Sequence, residues 1–176
     1  WIYNIKIKEK AMKKLMLAAI PAAFISGAFA EEVPITGNVE SKCVITTDTS
    51  GVYGNPAPDV LTTRFADGGV PAIVRYDVIA ADYYKAIISY PDEFTTSPSL
   101  NDTVSWQGDV TVDQVSDTQM SGYDTNKIEY NNSTEYELEF AGSTWFKVGS
   151  TAEYGVGKSF PGGQYRSVVT AECIAQ

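Results

Sequence analysis

Apolar and polar residues alternate with a period of two along most of the chain beyond residue 32, in short bursts separated by Gly, Pro, Asn and Asp. Val33, Ile35, Gly37, Val39, Ser41, Cys43 and Ile45 share one face, with Thr36, Asn38, Glu40 and Lys42 between them, which is the pattern of a half-buried strand. Residues 46–58 are crowded with Thr, Asp, Ser, Gly, Asn and Pro and predict a surface loop, and Asp67-Gly68-Gly69 predicts a turn. Strands are predicted over residues 72–80 and 83–90, then a polar, turn-rich stretch over 91–102. Two short strands at 103–106 and 110–115, separated by Gln107-Gly108-Asp109, predict a hairpin. After a loop over 116–126, Tyr136, Leu138 and Phe140 alternate with Glu135, Glu137 and Glu139, and further strands are predicted at 144–148 and 151–154. Pro161-Gly162-Gly163 is a turn signal before a closing strand over 165–175, with Tyr165, Ser167, Val169, Ala171 and Cys173 on one face. No ten-residue stretch of this region sustains a 3.6-residue period. The fold expected is all-β, an antiparallel immunoglobulin-like β-sandwich of about seven to nine strands.

The first 30 residues follow a different rule. Met12 precedes Lys13-Lys14, an apolar run over residues 15–30, and Ala28-Phe29-Ala30 before Glu31, the order of a secretory signal peptide. Cleavage after Ala30 is expected, with residues 1–11 lying upstream of the initiator, so that residues 1–30 are leader and residues 31–176 form a single β-sandwich domain. Pro21, Ser26 and Gly27 interrupt the apolar run, which falls short of the roughly 20 residues a membrane span needs, and no span is expected in the remainder. The expected location is secreted or at the cell surface, reached through the periplasm.

Charge and composition narrow the function. The chain has 13 basic and 22 acidic side chains and no histidine, which removes Ser-His-Asp and Cys-His nucleophile systems and HExxH metal sites. Without the leader, eight basic face 21 acidic side chains, a formal charge of −13 that repels phosphate backbones, so nucleic acid is not an expected partner. Cys43 and Cys173 are the two cysteines, and an exported chain with an even count predicts a disulfide between them. It would close a loop of about 130 residues, stabilise the fold by on the order of 5 kcal/mol in the chain-entropy model, and bring the first and last strands together.

Other candidate chemistry resolves into structure. Glu135, Glu137 and Glu139 on one strand face predict a solvated, anti-aggregation surface. Asp109, Asp113 and Asp117 do not have the spacing of a calcium loop. Gly155-Val156-Gly157-Lys158-Ser159 resembles the end of a phosphate loop, but Ala152 stands where a glycine is required. No metal, cofactor or catalytic residue is expected, and the chain does not look like an enzyme. Tyr53, Tyr83 and Trp106 are candidate exposed aromatics for a ligand, and with them a soluble extracellular or periplasmic carbohydrate-binding module is an alternative function.

The two ends of the domain carry a family resemblance. Ile35-Thr36-Gly37-Asn38-Val39 followed by Cys43-Val44-Ile45 resembles the opening strand of chaperone–usher fimbrial subunits and of the related spore-coat-U-like secreted domains. Pro161-Gly162-Gly163-Gln164-Tyr165, then Val168-Val169-Thr170-Ala171, is similar to the Pro-Gly-x-Tyr turn and last strand of such subunits. The resemblance covers about 25 residues. It implies an incomplete immunoglobulin-like sandwich completed by a strand from a neighbouring subunit, hence a structural or adhesive role in a bacterial fimbria or coat. Its partners would be subunits of the same or a related type, with a periplasmic chaperone and an outer-membrane usher. The interface positions implied are Val33, Ile35, Gly37 and Val39 on the donor or first strand, and Tyr165, Val169 and Ala171 on the receiving edge. Two features depart from the family: only residues 31–34 precede the opening strand as a donor arm, and the second cysteine is at position 173 instead of early in the domain.

Overall fold

Strands form where β-branched and aromatic residues alternate with polar ones, and every strand pairing is antiparallel. The computed structural model describes Thr36, residues 42–80 and residues 83–176. The expected leader and the positions Val33, Ile35, Gly37 and Val39 lie outside the described residues. The strands are β1 (Cys43–Thr49), β2 (Gly54–Ala57), β3 (Val60–Thr62), β4 (Ala72–Val78), β5 (Tyr84–Ser89), β6 (Val104–Val115), β7 (Ile128–Tyr130), β8 (Ser133–Leu138), β9 (Gly142–Tyr154) and β10 (Thr170–Ala175). Among the described residues helix is confined to 3-10 turns at Phe65–Asp67 and Thr118–Gly122 and one helical turn, α1 (Tyr123–Asn126). Among the described residues no helix is long and apolar enough to cross a membrane.

The strands make two sheets. In the larger, β9 is the spine: β6 runs along one side of it, while on the other β4 pairs with residues 142–148 and β3 with residues 151–153. Beyond β4 lies β1, and beyond β3 lies β2. The smaller sheet has the order β10-β5-β8-β7. The protein is an all-β antiparallel sandwich, as the alternation predicts.

The inward positions of the two sheets meet as expected from a period of two. Tyr76, Phe146, Val110 and Val148 from the larger sheet face Ala86, Ile88, Tyr136 and Leu138 from the smaller, and all are almost wholly buried. The Phe146 ring sits edge-on to Tyr76 at 5.4 Å between centroids and tilted against Tyr136 at 4.5 Å. Met120 and Tyr123, from the turns between β6 and β7, close one end of this core.

Several sequence expectations are corrected. Residues 103–115 do not form a hairpin: β6 is one strand of 12 residues, because Gln107, Gly108 and Asp109 pair in register with Thr151, Ser150 and Gly149. Gly108 serves there as a flat spot, since a Cβ would run into the Tyr90 ring. The two strands expected at 144–148 and 151–154 are one, β9. The expected loop over 46–58 contains the end of β1 and all of β2. The closing strand begins only at Thr170, so Tyr165 and Ser167 are in a loop and do not continue its face. The first and last strands are indeed brought together, but as edges of opposite sheets and not as hydrogen-bonded neighbours.

Cys43 on β1 and Cys173 on β10 form a disulfide with a Cα–Cα distance of 6.5 Å, joining the two sheets at one side of the sandwich across a sequence separation of 130. The paired serine variant Cys43→Ser/Cys173→Ser is expected to lose about 2–5 kcal/mol of stability, read as a lowered midpoint in urea denaturation. A midpoint equal to the parent's would show that the cross-link constrains nothing.

A second expected outcome concerns alkaline pH. Burial, helped by the charge of Glu172, raises the Tyr76 hydroxyl above the ordinary tyrosine range, and burial with the charge of Asp124 does the same for Tyr136. Both phenols keep their protons in the folded chain after the unfolded chain has released them. Their stabilisation is therefore complete below about pH 10 and is lost as pH rises beyond it. Tyr136→Phe should flatten the alkaline limb of stability against pH while lowering stability at neutral pH.

Candidate functional site

The disulfide marks the side of the sandwich on which both sheets end in an edge strand. β1 pairs only with β4, and β10 only with β5, among the described residues. Register parity fixes which backbone groups face outward. Lys42 accepts from Ile79 N–H and Gln176 N–H donates to Tyr83, so the bonded pairs are those in step with 42/79 and 176/83. The N–H and C=O groups of Cys43, Ile45 and Thr47 on β1, and of Ala171, Cys173 and Ala175 on β10, therefore point away from their sheets. A bulge between Thr47 and Thr49 ends the regular part of the β1 edge.

The side chains on this side are apolar and incompletely covered. Cys43, Ile45, Val169, Ala171 and Cys173 pack against the core but remain only half-buried, whereas the interior residues of the same rows are sealed. The Tyr76 hydroxyl crosses the sandwich and donates to the Glu172 carbonyl at 3.0 Å, a second tie between β10 and the larger sheet. Ile79, Tyr83 and Ile174 add exposed apolar surface near the ends of these strands.

The opposite side is finished differently. β6 and β7 are its edges, and the outward backbone of β6 is capped at Val110 and Val112. The Asp124 carboxylate, presented by α1, accepts the Val112 N–H with both oxygens at 3.0 Å. The Val110 carbonyl accepts from the Tyr136 hydroxyl at 2.8 Å and from Lys127 Nζ at 3.1 Å, and Lys127 also pairs with Glu129 at 2.7 Å. β7 is three residues long. At the remaining edge, β2 carries Pro56, which has no N–H to offer. These are devices by which sheets discourage further pairing; among the described residues the disulfide-bearing side has only the bulge at the end of β1.

The candidate residues separate into distinct places. Cys43 and Cys173 are bonded to each other, and Val169 and Ala171 lie beside them on the open side. Tyr165 does not: its hydroxyl donates to the Pro161 carbonyl at 2.6 Å and its ring packs on Phe94 and Phe160. Tyr53 and Trp106 join the same half-buried cluster, with centroids 6.2 and 4.7 Å from Phe94. Tyr53 is further held by Ser150 and Ser167 through its hydroxyl. Tyr83 stands apart, 63% exposed with a positive φ of 45°, and its neighbour Tyr84 is buried. The three aromatics named as ligand candidates thus do not form one platform.

Asp117 accepts from Gln119 N–H at the start of a 3-10 turn, Asp113 lies 4.0 Å from Lys147, and Asp109 lies over Gly149. Among the described residues no group of three or more metal-binding side chains converges. Glu135 and Glu137 are on the outer face of β8, where both pair with Lys85, as a solvated surface requires.

Reasoning from sequence missed Phe94, the hub of the aromatic cluster, and the edge-covering trio Asp124, Tyr136 and Lys127. Nothing local signals either, because the contacts join loops and strands far apart in sequence. Ala175 is an exception: it extends the alternation of Ala171 and Cys173 and could have been added to the edge.

Fold and site together define a two-sheet antiparallel β-sandwich whose β1 and β10 edges, tied by a disulfide, have no further strand beside them among the described residues. No family model matches the chain, and no curated protein matches it.

Removing the cover from β6 has a measurable consequence. Asp124→Ala leaves the Val112 N–H and part of the Tyr136 hydroxyl without a partner and should cost about 1–3 kcal/mol in denaturant unfolding. Hydrogen exchange at Val112 should accelerate selectively, and an unchanged exchange rate would refute the capping role.

Proposed function

We propose that this protein is an exported, non-enzymatic structural or adhesive subunit of a bacterial surface fimbria or coat, joined to its neighbours by β-strand addition along the open side. The observation that carries the proposal is the sidedness of the sandwich. Outward backbone groups and half-buried apolar side chains coincide at β1 and β10, while β6 is capped at Val110 and Val112, β7 is short and β2 bears a proline. Strand addition draws affinity from main-chain hydrogen bonds and specificity from alternate side chains, and both components are available here.

The donor proposed is a segment with the alternation of Val33, Ile35, Gly37 and Val39 supplied by another subunit of the same or a related type. A periplasmic chaperone would shield the same edge before assembly, and an outer-membrane usher would deliver the subunit to the surface, as the terminal motifs imply. The signal-like leader and acidic composition support export to an oxidising compartment, where the disulfide persists.

Ala171→Pro tests this directly. It removes an N–H that points away from β5, so the β5–β10 ladder is retained and the outer edge loses a donor. The variant should fold, with an unchanged β-type circular dichroism spectrum, and should lose most of its assembly into filaments seen by electron microscopy and light scattering. A parent protein that stays monomeric at every concentration and is absent from purified surface filaments by mass spectrometry would overturn the proposal.

A further inference from the structure

The outer face of the larger sheet, away from the β1 and β10 edges, contains a depression between β6 and the fork where β9 changes partners. Its pairing with β4 stops at Val148 and its pairing with β3 starts at Thr151, leaving Gly149 and Ser150 between the two. Thr63 bridges the fork: its N–H donates to the Ser150 carbonyl at 2.9 Å and its hydroxyl accepts from the Ser150 N–H at 2.9 Å. The floor at Gly149 has no side chain, and a Cβ there would collide with the Asp109 carboxylate that lies over it. The depression, about half open to solvent, offers about 520 Å³, within the roughly 300–1,000 Å³ range of small-molecule sites.

The walls have a specific chemistry. Arg64 and Lys147 supply positive charge, Asp109 an acceptor, and Gln107 and Thr151 neutral polar ends, with Pro71 as an apolar wall. Arg64 makes no ion pair among the described residues, and the nearest carboxylate oxygen to Lys147 within ion-pair range is that of Asp113, at 4.0 Å. In a chain with a formal charge of −9, two weakly compensated cations around one concavity favour an anionic group. A bare inorganic anion would also meet the Asp109 carboxylate. A ligand with its carboxylate toward Arg64 and Lys147 and hydroxyls toward Asp109, Gln107 and Thr151 satisfies every group, and the guanidinium fork suits a carboxylate.

We infer that this depression binds a sugar carrying a carboxylate, of the uronic acid type. The site lies on a sheet face and not on the open edges, so it stands whether or not the chain assembles by strand addition. A receptor site of this kind would leave both edges free.

The experiment is a titration of the ¹⁵N-labelled protein with glucuronate, with glucose and glycine as comparison ligands, followed by amide shifts at residues 107–109 and 147–151. Glucuronate should give saturable shifts confined to this region, and glucose should bind at least about tenfold more weakly, a difference of roughly 1.4 kcal/mol. Arg64→Ala and Lys147→Ala remove exposed or half-exposed side chains and should each weaken glucuronate binding by about tenfold with an unchanged melting curve. Gly149→Ala, which displaces the Asp109 carboxylate, should weaken it as well. The inference is overturned if no saturable shifts occur, if glucose binds as well as glucuronate, if the Arg64 and Lys147 variants bind like the parent, or if glycine binds more tightly than either sugar.

Discussion

The Cys43–Cys173 bond is the constraint on which the asymmetry of this sandwich depends. Among the described residues each of the two strands it joins has a neighbour on one side only, β4 for β1 and β5 for β10, so neither is held by the interior of its own sheet. The apolar residues they contribute are half-buried and supply less of the burial energy that fixes interior strands. A covalent tie, supplemented by the hydroxyl of Tyr76 on the Glu172 carbonyl, keeps the sheets in register where packing alone is weakest. The seam can then stay open and structured at once.

The far side illustrates the converse. There the sheets are joined by noncovalent polar contacts from a short excursion, residues 116–127, whose Asp124 and Lys127 reach back to β6. The same contacts satisfy the buried Tyr136 hydroxyl, so closing the edge and completing the core are one event. A buried phenol with no acceptor would carry a desolvation cost of a few kcal/mol, which ties the cover to the stability of the whole fold.

Unequal strand lengths account for the aromatic cluster. β6 and β9 have 12 and 13 residues, whereas β5, β8 and β10 have six each. The larger sheet therefore overhangs the smaller by about 20 Å of strand. Trp106 and Tyr154 lie on this overhang, and loops bearing Phe94, Phe160 and Tyr165 fold over it. Aromatic rings are effective here because a few of them cover a large area from flexible connections. The richness in tyrosine and tryptophan that invites a ligand-binding interpretation is, at Tyr53, Trp106 and Tyr165, the material of a second small core.

Local alternation determined the class of the fold, the strands at β4, β5 and β8, the outward glutamates of β8 and the pairing of the two cysteines, because each follows from period-two geometry or from simple counting. Tertiary structure alone decided the rest. Gln107-Gly108-Asp109 has the composition of a turn, yet it is strand because β9 supplies hydrogen-bond partners and Tyr90 needs the glycine surface. Tyr165 has the right parity for β10 but is captured by Phe94 and Phe160. Which edges are covered, and where β9 leaves a depression, depend on side chains and strands more than ten residues apart. A one-dimensional pattern reports which way a residue faces within its own strand, and it contains no information about which neighbour arrives on the other side.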